Sequence, residues 1–370
     1  MMMLRRRAVL PALAGLLARP SWAAPLQFPR DHGAHPETAL EWWYLTGLLS
    51  VEDGGGAAGG RPPSHGFQLT FFRLRRAEAQ QQVGSFAPRQ LLIAHAALSE
   101  LAPGRLRHDQ HLARQGFAHA HADERDTALR LGAWRLQRSV APDTGLSRYA
   151  AKLNSFHAGF ALDLQLSAVQ PPLLQGEQGL SRKGPDAAQF SHYITEPQLQ
   201  TQGQLKLDGR TLRVRGRAWL DHEWSDALLG SGAGDAAVGW DWLGINLHDG
   251  GALTLFQLRR ADGSRQWAGG SWRRADGSQA EFGPEQLGFE AGRRWRSAVS
   301  QAEYPVEWTL QTPLGRLSLR ALFDAQEVDA RRSTAMLYWE GAARLTDAQG
   351  REIGLGYLEM TGYSGRMPLP

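Results

Sequence analysis

The sequence predicts an all-β protein that folds as two β-barrel domains packed together. Three observations support this class: apolar and polar residues alternate along most of the chain, Asp-Gly turns separate the alternating runs, and helical periodicity is scarce. With 370 residues, the chain has room for two domains that each bury a core. Apolar residues make up 42% and charged residues 21%, which excludes a disordered chain.

The first 23 residues are predicted to be a secretory leader rather than part of the fold. Three arginines at positions 5–7 precede an uncharged stretch at 8–18, and Ser21-Trp22-Ala23 offers small residues where a signal peptidase cleaves. The apolar stretch is too short for a permanent anchor, and its RRAVL string also fits a twin-arginine signal. We therefore expect a periplasmic or secreted protein with no transmembrane segment in the mature chain.

Charge and cysteine content exclude several function classes. The leader holds four of the 41 basic residues and no acid, so the mature chain has 37 basic and 37 acidic residues. It lacks the basic excess that nucleic-acid binding needs, and we predict no nucleic-acid partner. The chain has no cysteine, which excludes thiolate catalysis, disulfides and Cys-ligated zinc.

Half-buried strands are recognised by apolar residues at every second position. Such runs are Phe67, Leu69 and Phe71; Leu129 and Leu131, continued after a slip by Trp134 and Leu136; and Phe160, Leu162, Leu164 and Leu166.

The turns between strands are marked by four Asp-Gly dipeptides, at 208–209, 249–250, 262–263 and 276–277. Asp-Gly suits a type I′ hairpin because both central residues adopt positive φ. Residues 240–280 therefore read as consecutive hairpins, which favours closure into a barrel, with a β-sandwich as the alternative. One short helix is predicted within 284–295, and a flexible loop at 53–63. We place the domain boundary after residue 226, giving domains 24–226 and 227–370.

The residues suited to chemistry concentrate in the motif Trp-Leu-Asp-His-Glu-Trp-Ser at 219–225. In an extended strand, Trp219, Asp221 and Glu223 share one face and His222 lies on the other. A solvent-facing charged strand is the simpler interpretation and fits the arginines at 213, 215 and 217. It fits tryptophans beside two carboxylates less well. We therefore predict that the pair faces an enclosed space, at a barrel mouth, at a domain seam, or through a bulge at Gly216.

Enclosure would suit Asp221 for acid catalysis. Poor solvation raises the pKa of a carboxyl group, and a protonated carboxylic acid can protonate a carbon–carbon double bond. Neighbouring indole rings would shield the cation, and Glu223 would accept a proton from water. We predict Asp221 and Glu223 as catalytic, with a ligand surrounded by Trp219, Trp224, His222, Trp43, Glu41, His192 and Tyr193.

A second cluster, DHGAHPE at residues 31–37, raises the question of a metal site. His32 and His35 lie near several carboxylates, but the intervening glycine and the following proline interrupt any helix that would align the imidazoles. We predict no functional metal and interpret the segment as a loop that hydrogen-bonds to a barrel rim. The next motif, EWWY, is the predicted first strand, in which Glu41 and Trp43 share a face and serve either packing or ligand binding.

Other catalytic signatures are missing from the sequence. It has no G-x-S-x-G elbow, no Walker A loop and no G-x-G-x-x-G fingerprint, and the HEW string at His222 lacks the second histidine of a zinc protease. We therefore predict that the protein uses no cofactor.

Taken together, the motifs DHGAHPE, EWWYLTG, HGFQLTFFR, GRAWLDHEWS and YWEGA…GLGYLEMTGY resemble the carotenoid 1,2-hydratase (hydroxyneurosporene synthase) family, most nearly its exported AttH-like branch. The resemblance implies two lipocalin-like (calycin-type) barrels with a hydrophobic pocket near their junction. It also implies that an aspartate in an aromatic-x-Asp-His-Asn-Trp motif acts as the acid. Asp221 matches that aspartate, whereas Glu223 replaces the asparagine.

Three functions follow from these observations. The first is a periplasmic carrier of a hydrophobic, lipid- or isoprenoid-like molecule. Exported relatives resemble components found beside ABC permeases, so an ABC export system is its expected partner. The second is a cofactor-independent hydratase-like lyase that uses Asp221 and Glu223. The third is a secreted hydrolase, for which the sequence offers no assembled nucleophile. The sequence favours the carrier.

Overall fold

The computed structural model describes residues 25–52, 62–84, 86–229 and 236–367. Its regular structure is almost entirely antiparallel strand, which confirms the predicted all-β class. The predicted leader, most of the predicted loop at 53–63 and part of the predicted domain boundary lie outside the described residues. Within the described ranges, no helix is both long and apolar enough to cross a membrane.

The first sheet, barrel 1, consists of thirteen strands in the described part of the chain. Most consecutive strands are neighbours, the ninth, tenth and eleventh strands all pair with the twelfth, and the last strand returns to pair with the first. The path is therefore open only between the fourth and fifth strands. The strands are β1 (Leu40–Val51), β2 (His65–Arg75), β3 (Gln90–Glu100), β4 (Arg105–Arg114), β5 (Ala120–Ala122), β6 (Ala128–Leu131), β7 (Trp134–Val140), β8 (Ser147–Ser155), β9 (Phe160–Ser167), β10 (Leu173–Leu174), β11 (Leu180–Arg182), β12 (Phe190–Leu207) and β13 (Arg210–Ser225).

The second sheet, barrel 2, repeats this connectivity with ten described strands. Its last strand also pairs with its first, and its gap again separates its fourth and fifth strands. Barrel 2 contains β14 (Gly239–Leu247), β15 (Ala252–Arg259), β16 (Arg265–Arg273), β17 (Gln279–Phe282), β18 (Gly288–Ala291), β21 (Glu307–Thr312), β22 (Gly315–Ala321), β23 (Glu327–Ala330), β24 (Met336–Thr346) and β25 (Glu352–Met360). A separate hairpin joins β19 (Arg294–Arg296) to β20 (Glu303–Pro305), and α1 spans Arg331–Thr334.

Each barrel is filled by its own side chains. Inward residues alternate along every long strand, as with Trp43, Leu45 and Leu49 in β1, and the two interiors form separate apolar clusters. A third apolar cluster lies between the barrels, on the outer faces of β1, β13, β14 and β15. The seam between these outer faces therefore lies outside both barrel interiors.

Two predictions about local structure are wrong in detail. Among the Asp-Gly hairpins, only Asp208-Gly209 has positive φ at both residues (48° and 77°). In the other three hairpins only the glycine has a positive φ, because a turn followed by a bulge needs a single residue in that conformation. The predicted helix within 284–295 is a 3₁₀ turn at Pro284–Gln286 followed by β18. Pairing of β18 with β21 provides backbone hydrogen bonds that a short, weakly periodic helix could not match.

The expected bulge at Gly216 is also absent, since β13 keeps one register with β1 through that position. The irregularity lies in the partner strand β12, between Glu196 and Leu199, where Gln198 adopts a positive φ of 60°. The buried Gln198 side chain donates to the backbone oxygens of Leu247 (2.9 Å) and Gly251 (2.6 Å) in barrel 2. The bulge therefore fastens the two barrels together.

Candidate functional site

A cavity of about 110 Å³ lies in the seam between the outer faces of the two barrels. Its walls are mainly aromatic and aliphatic side chains from β1, β2 and β3 on one side and from β14, β15 and β24 on the other. Ten polar or titratable side chains also reach it: Tyr44, Gln68, Lys183, Tyr193, Asp221, Glu223, Thr334, Tyr338, Glu340 and Glu359.

Strand register explains why Asp221 and Glu223 face this cavity. Side chains alternate between the two faces of a strand, so residues of odd number in β13 point away from the barrel-1 interior. Asp221 lies opposite Tyr44 on β1 and opposite Thr195 on β12. Glu223 lies opposite Trp42 and Tyr193. The three central strands of barrel 1 thus present one polar and aromatic patch to barrel 2.

Asp221 is buried and held by three hydrogen bonds. Its Oδ1 accepts from Thr195 Oγ1 (2.6 Å) and from Trp219 Nε1 (2.9 Å), and its Oδ2 lies 2.9 Å from the Tyr193 hydroxyl. Burial raises the pKa of Asp221 to about 8 against the opposing effect of these hydrogen bonds, and the charge of Glu223 adds to the rise. Asp221 is therefore mostly protonated at neutral pH.

The partners of Asp221 place this proton on Oδ2. An indole N–H only donates, so the oxygen that Trp219 contacts must accept. Oδ2 faces the Tyr193 hydroxyl, which itself accepts a hydrogen bond from Trp242 Nε1 (2.9 Å) in barrel 2. Since Oδ1 already accepts two hydrogen bonds, the acidic proton lies on Oδ2, the oxygen that also accepts from the Tyr193 hydroxyl.

Glu223 has a different environment although it lies two residues from Asp221. Lys183 Nζ is 2.9 Å from Glu223 Oε1, and Ser191 Oγ donates to the same oxygen at 2.5 Å. Lys183 Nζ also lies over the rings of Tyr193 (4.6 Å) and Phe256 (4.2 Å), two cation–π contacts. The ion pair stabilises Glu223 as a carboxylate, so the cavity holds one neutral and one ionised acid side by side.

Barrel 2 contributes a second acidic pair. Glu340 on β24 and Glu359 on β25 lie directly opposite each other in register. Burial raises the pKa of Glu340 well above its ordinary range, and the Glu359 charge adds to the rise. Burial likewise raises the pKa of Glu359 to about 7, although Trp240 Nε1 donates to it at 3.2 Å. Glu359 is half-buried, and it lines the cavity.

These states make the cavity nearly neutral. Lys183 balances Glu223, Asp221 and Glu340 are mostly protonated, and Glu359 is about half ionised near pH 7. A mostly apolar cavity with a few fixed polar groups suits a hydrophobic small molecule that carries few polar atoms.

The structure brings four of the predicted site residues together and separates the other five. Asp221, Glu223 and Tyr193 line the cavity, and Trp219 donates to Asp221. The remaining predicted ligand-binding residues lie on the opposite face of the same strands and do not line the cavity: Glu41, Trp43, His192, His222 and Trp224. There Trp43 stacks on His222, and Trp224 stacks between His35 and His192.

Glu41 is the centre of a buried network behind the cavity. Its carboxylate contacts His35 Nδ1 (2.8 Å), His222 Nε2 (2.9 Å) and Arg73 Nε (2.6 Å). His35 also contacts Asp31 (3.2 Å), so the network ties residues 31–37 to the barrel rim. The ligand atoms of His35, Glu41 and His222 lie within 4.8 Å of one another, a spacing that one metal ion could bridge. The guanidinium of Arg73 on Glu41 opposes a second cation there.

Several cavity residues were missed from the sequence. The alternation in EWWY already placed Trp42 and Tyr44 opposite Trp43, and YWEGA and GLGYLEM each place a glutamate inside an apolar strand. A lone acid in an apolar strand could have been read as a buried, functional carboxyl. Lys183 directly follows the short strand β11 and carries no recognisable pattern. The missed residues are Tyr44, Gln68, Lys183, Trp240, Trp242, Glu340 and Glu359.

Comparisons with solved structures agree with this architecture. A crystal structure from Nitrosomonas europaea assigned as AttH is 42% identical, with a TM-score of 0.80 over 92% of this chain and 98% of its own. Kievitone hydratase from Nectria haematococca is 15% identical, with a TM-score of 0.64 over 92% and 94%. CghA in complex with Sch210972 is 12% identical, with a TM-score of 0.52 over 88% of both chains. The last two show a shared fold.

Sequence comparison gives the family. No curated protein matches the chain. A family model described as AttH-like matches residues 19–363, which includes every strand described above. This match and the 42% identical structure confirm the predicted resemblance. The chain belongs to the AttH-like family.

Proposed function

We propose that the protein is a cofactor-independent hydro-lyase that adds water to, or removes water from, a hydrophobic small molecule bound in the seam cavity. The observation that carries this proposal is Asp221, a buried carboxyl with a pKa raised to about 8 that lines a mostly apolar cavity. A carrier needs no such acid, and keeping one buried costs free energy of folding.

In the addition direction, the proton on Asp221 Oδ2 forms a bond with one carbon of a double bond, whose π electrons supply that bond. The neighbouring carbon becomes cationic, and the π faces of Trp240 and Trp242 in the cavity wall stabilise it. Apolar walls also exclude bulk water, so the cation reacts with a positioned water molecule.

Glu223 completes the reaction as the base. It accepts a proton from water while the water oxygen bonds to the cationic carbon, and Lys183 balances the charge of the free carboxylate. The proton that Glu223 gains restores the one that Asp221 lost, so one water molecule is added with no net change in the protein. A hydratase among the proteins that share the fold is consistent with this chemistry.

The test is solvent-isotope incorporation. The protein is incubated in D₂O with a panel of short isoprenoid alkenes, and products are identified by mass spectrometry. We expect a hydrated product with deuterium on carbon, and a loss of roughly 100-fold or more in rate for Asp221→Asn, the range typical of general acids. Asp109→Asn is the matched control, because Asp109 is buried but does not line the cavity.

A carrier of the same molecule is the second proposal, favoured by the enclosed and nearly neutral cavity. Native mass spectrometry of protein purified from its own host separates the two. A single retained molecule, unmodified after incubation in D₂O, supports the carrier and contradicts the hydro-lyase. The leader also motivates a proposal that the protein works in the periplasm beside an ABC permease, which cell fractionation and cross-linking would test.

A further inference from the structure

We propose that Tyr44 and Glu340 form a subsite that binds an oxygen atom of the ligand, so that the substrate is an oxygenated hydrophobic molecule with a carbonyl-type acceptor. This inference rests on the proposed binding of a hydrophobic molecule in the seam cavity and adds its chemical class.

The observation that supports this proposal is a pair of buried polar atoms that lack a well-formed hydrogen bond. Tyr44 and Glu340 are only 5% and 2% exposed, and both line the cavity. Within the described residues, the Tyr44 hydroxyl and Glu340 Oε1 accept or donate no well-formed hydrogen bond. The two groups do contact each other, and this contact raises the pKa of Tyr44 and lowers that of Glu340, but it does not meet the geometry of a hydrogen bond that would satisfy either atom. A buried polar group without a hydrogen bond destabilises the folded protein, so such atoms are rare without a function.

Both atoms are donors. Glu340 Oε2 accepts from Gln68 Nε2 at 2.7 Å, and no described lysine or arginine forms an ion pair with Glu340. A buried carboxyl without a cation stays protonated, and burial accordingly raises the pKa of Glu340. Because Oε2 accepts, the proton lies on Oε1. Tyr44 is likewise protonated, since burial raises its pKa. Two O–H groups facing one space favour an acceptor oxygen, such as a ketone carbonyl.

The subsite lies beside the proposed acid. Tyr44 and Asp221 are directly opposed across β1 and β13, so their side chains leave the sheet about 5 Å apart. Glu340 approaches from barrel 2 across the seam, through its contact with Gln68 of barrel 1. An oxygen held by Tyr44 and Glu340 would therefore place the adjoining carbons of the ligand next to Asp221. This geometry points to a double bond conjugated or close to a carbonyl group.

Acetophenone and isopropylbenzene test the inference, because their non-hydrogen atoms are connected in the same way and acetophenone has a carbonyl oxygen in place of one methyl group. Affinities for the whole protein are measured by calorimetry. We expect Tyr44→Phe to weaken acetophenone binding about tenfold, the value of one hydrogen bond, and to leave isopropylbenzene unchanged. Glu340→Met should act in the same direction. Tyr357→Phe is the control, since Tyr357 is buried in the seam but does not line the cavity.

The outcomes separate this inference from the function on which it rests. The oxygen subsite is overturned if Tyr44→Phe weakens the binding of both probes equally. It is also overturned if acetophenone binds folded Tyr44→Phe and Glu340→Met as tightly as the wild-type protein. In both cases the proposed apolar site is unaffected. Failure of the wild-type protein to bind either probe overturns both. Thermal unfolding of each variant verifies that it is folded.

Discussion

At the scale of single residues, two carboxyl groups on one face of a strand differ in protonation state because their neighbours differ. Glu223 has Lys183 at 2.9 Å, whereas Asp221 has only neutral donors. Such divergence of neighbouring carboxyls is typical of acid–base pairs in enzymes. Tyr193 connects the two halves of the site, because it contacts Asp221 and accepts from Trp242 of barrel 2.

Replacing Tyr193 by phenylalanine should shift the pH dependence of turnover upward. The hydrogen bond from Tyr193 lowers the pKa of Asp221, so its loss raises that pKa above about 8. Since the protonated form is the active one, activity falls as pH rises through the Asp221 pKa, and in Tyr193→Phe this fall should occur at higher pH. Initial rates across pH measure the midpoint. Tyr149→Phe, buried in barrel 1 against Glu196, should leave it in place. An unmoved midpoint in Tyr193→Phe would argue against Asp221 as the titrating acid.

At the scale of elements, the closing strands β13 and β25 position the acids by close backbone packing. A Cβ on Gly216 would lie 1.8 Å from the Leu48 oxygen, and one on Gly356 would lie 1.9 Å from the Gly244 oxygen. These glycines occupy corresponding strands, since β13 closes barrel 1 onto β1 and β25 closes barrel 2 onto β14. Gly216 is therefore required for close approach and not for a bulge.

We expect Gly216→Ala to destabilise the protein by about 3 kcal/mol, because β1 and β13 must separate to admit the methyl group. Gly350→Ala is the control. Gly350 has a positive φ of 79° but open space around it, so only backbone strain of about 1–2 kcal/mol applies. Urea unfolding measures both variants. Equal stability loss in the two would mean that the Leu48 contact is unimportant.

The sequence predicted these elements well where a face is buried. Period-two patterns identified β2, β6, β7 and β9, and the motif at 219–225 gave the correct faces of β13. The sequence did not reveal that Trp43, His222 and Trp224 pack behind the site. Alternation shows which residues share a face of a strand, but not which part of the molecule that face contacts. The bulge in β12 was also out of reach, since Gln198 is an ordinary polar residue whose partners come from barrel 2.

At the scale of the whole molecule, two barrels of the same connectivity enclose a site that neither contains alone. The seam makes polar contacts on both sides of the cavity, including His95 with Tyr338 (2.9 Å) and Gln175 with Thr254 (3.0 Å). Local pattern could not predict which outer faces meet; it offered a domain seam only as one of three alternatives, and the family resemblance then pointed to the junction. For this reason, no function was predicted from the sequence for the acidic residues of barrel 2.

This burial of acids predicts how stability depends on pH. Asp221 and Glu359 have pKa values raised to about 8 and 7, so the folded protein holds protons that the unfolded chain has already released above about pH 4. Their stabilisation is present at low pH and is lost as pH rises through 7 and 8. Between pH 6.5 and 8.5 the Tm should fall by about 3 °C. Asp221→Asn should reduce that fall, as scanning calorimetry at each pH would measure. A wild-type Tm that rises over this interval would contradict the assignment.

The central claim is that Asp221 is a protonated acid at neutral pH, and infrared difference titration tests it most directly. The carbonyl stretch of a protonated carboxyl is followed from acid to alkaline pH in the wild-type protein, and the Asp221→Asn spectrum identifies the band that belongs to this residue. If Asp221 is the proposed acid, we expect a band that persists at pH 7 and disappears near pH 8. Its disappearance near pH 4 would mean that Asp221 is an ordinary carboxylate and that the seam cavity has no acid to offer a substrate.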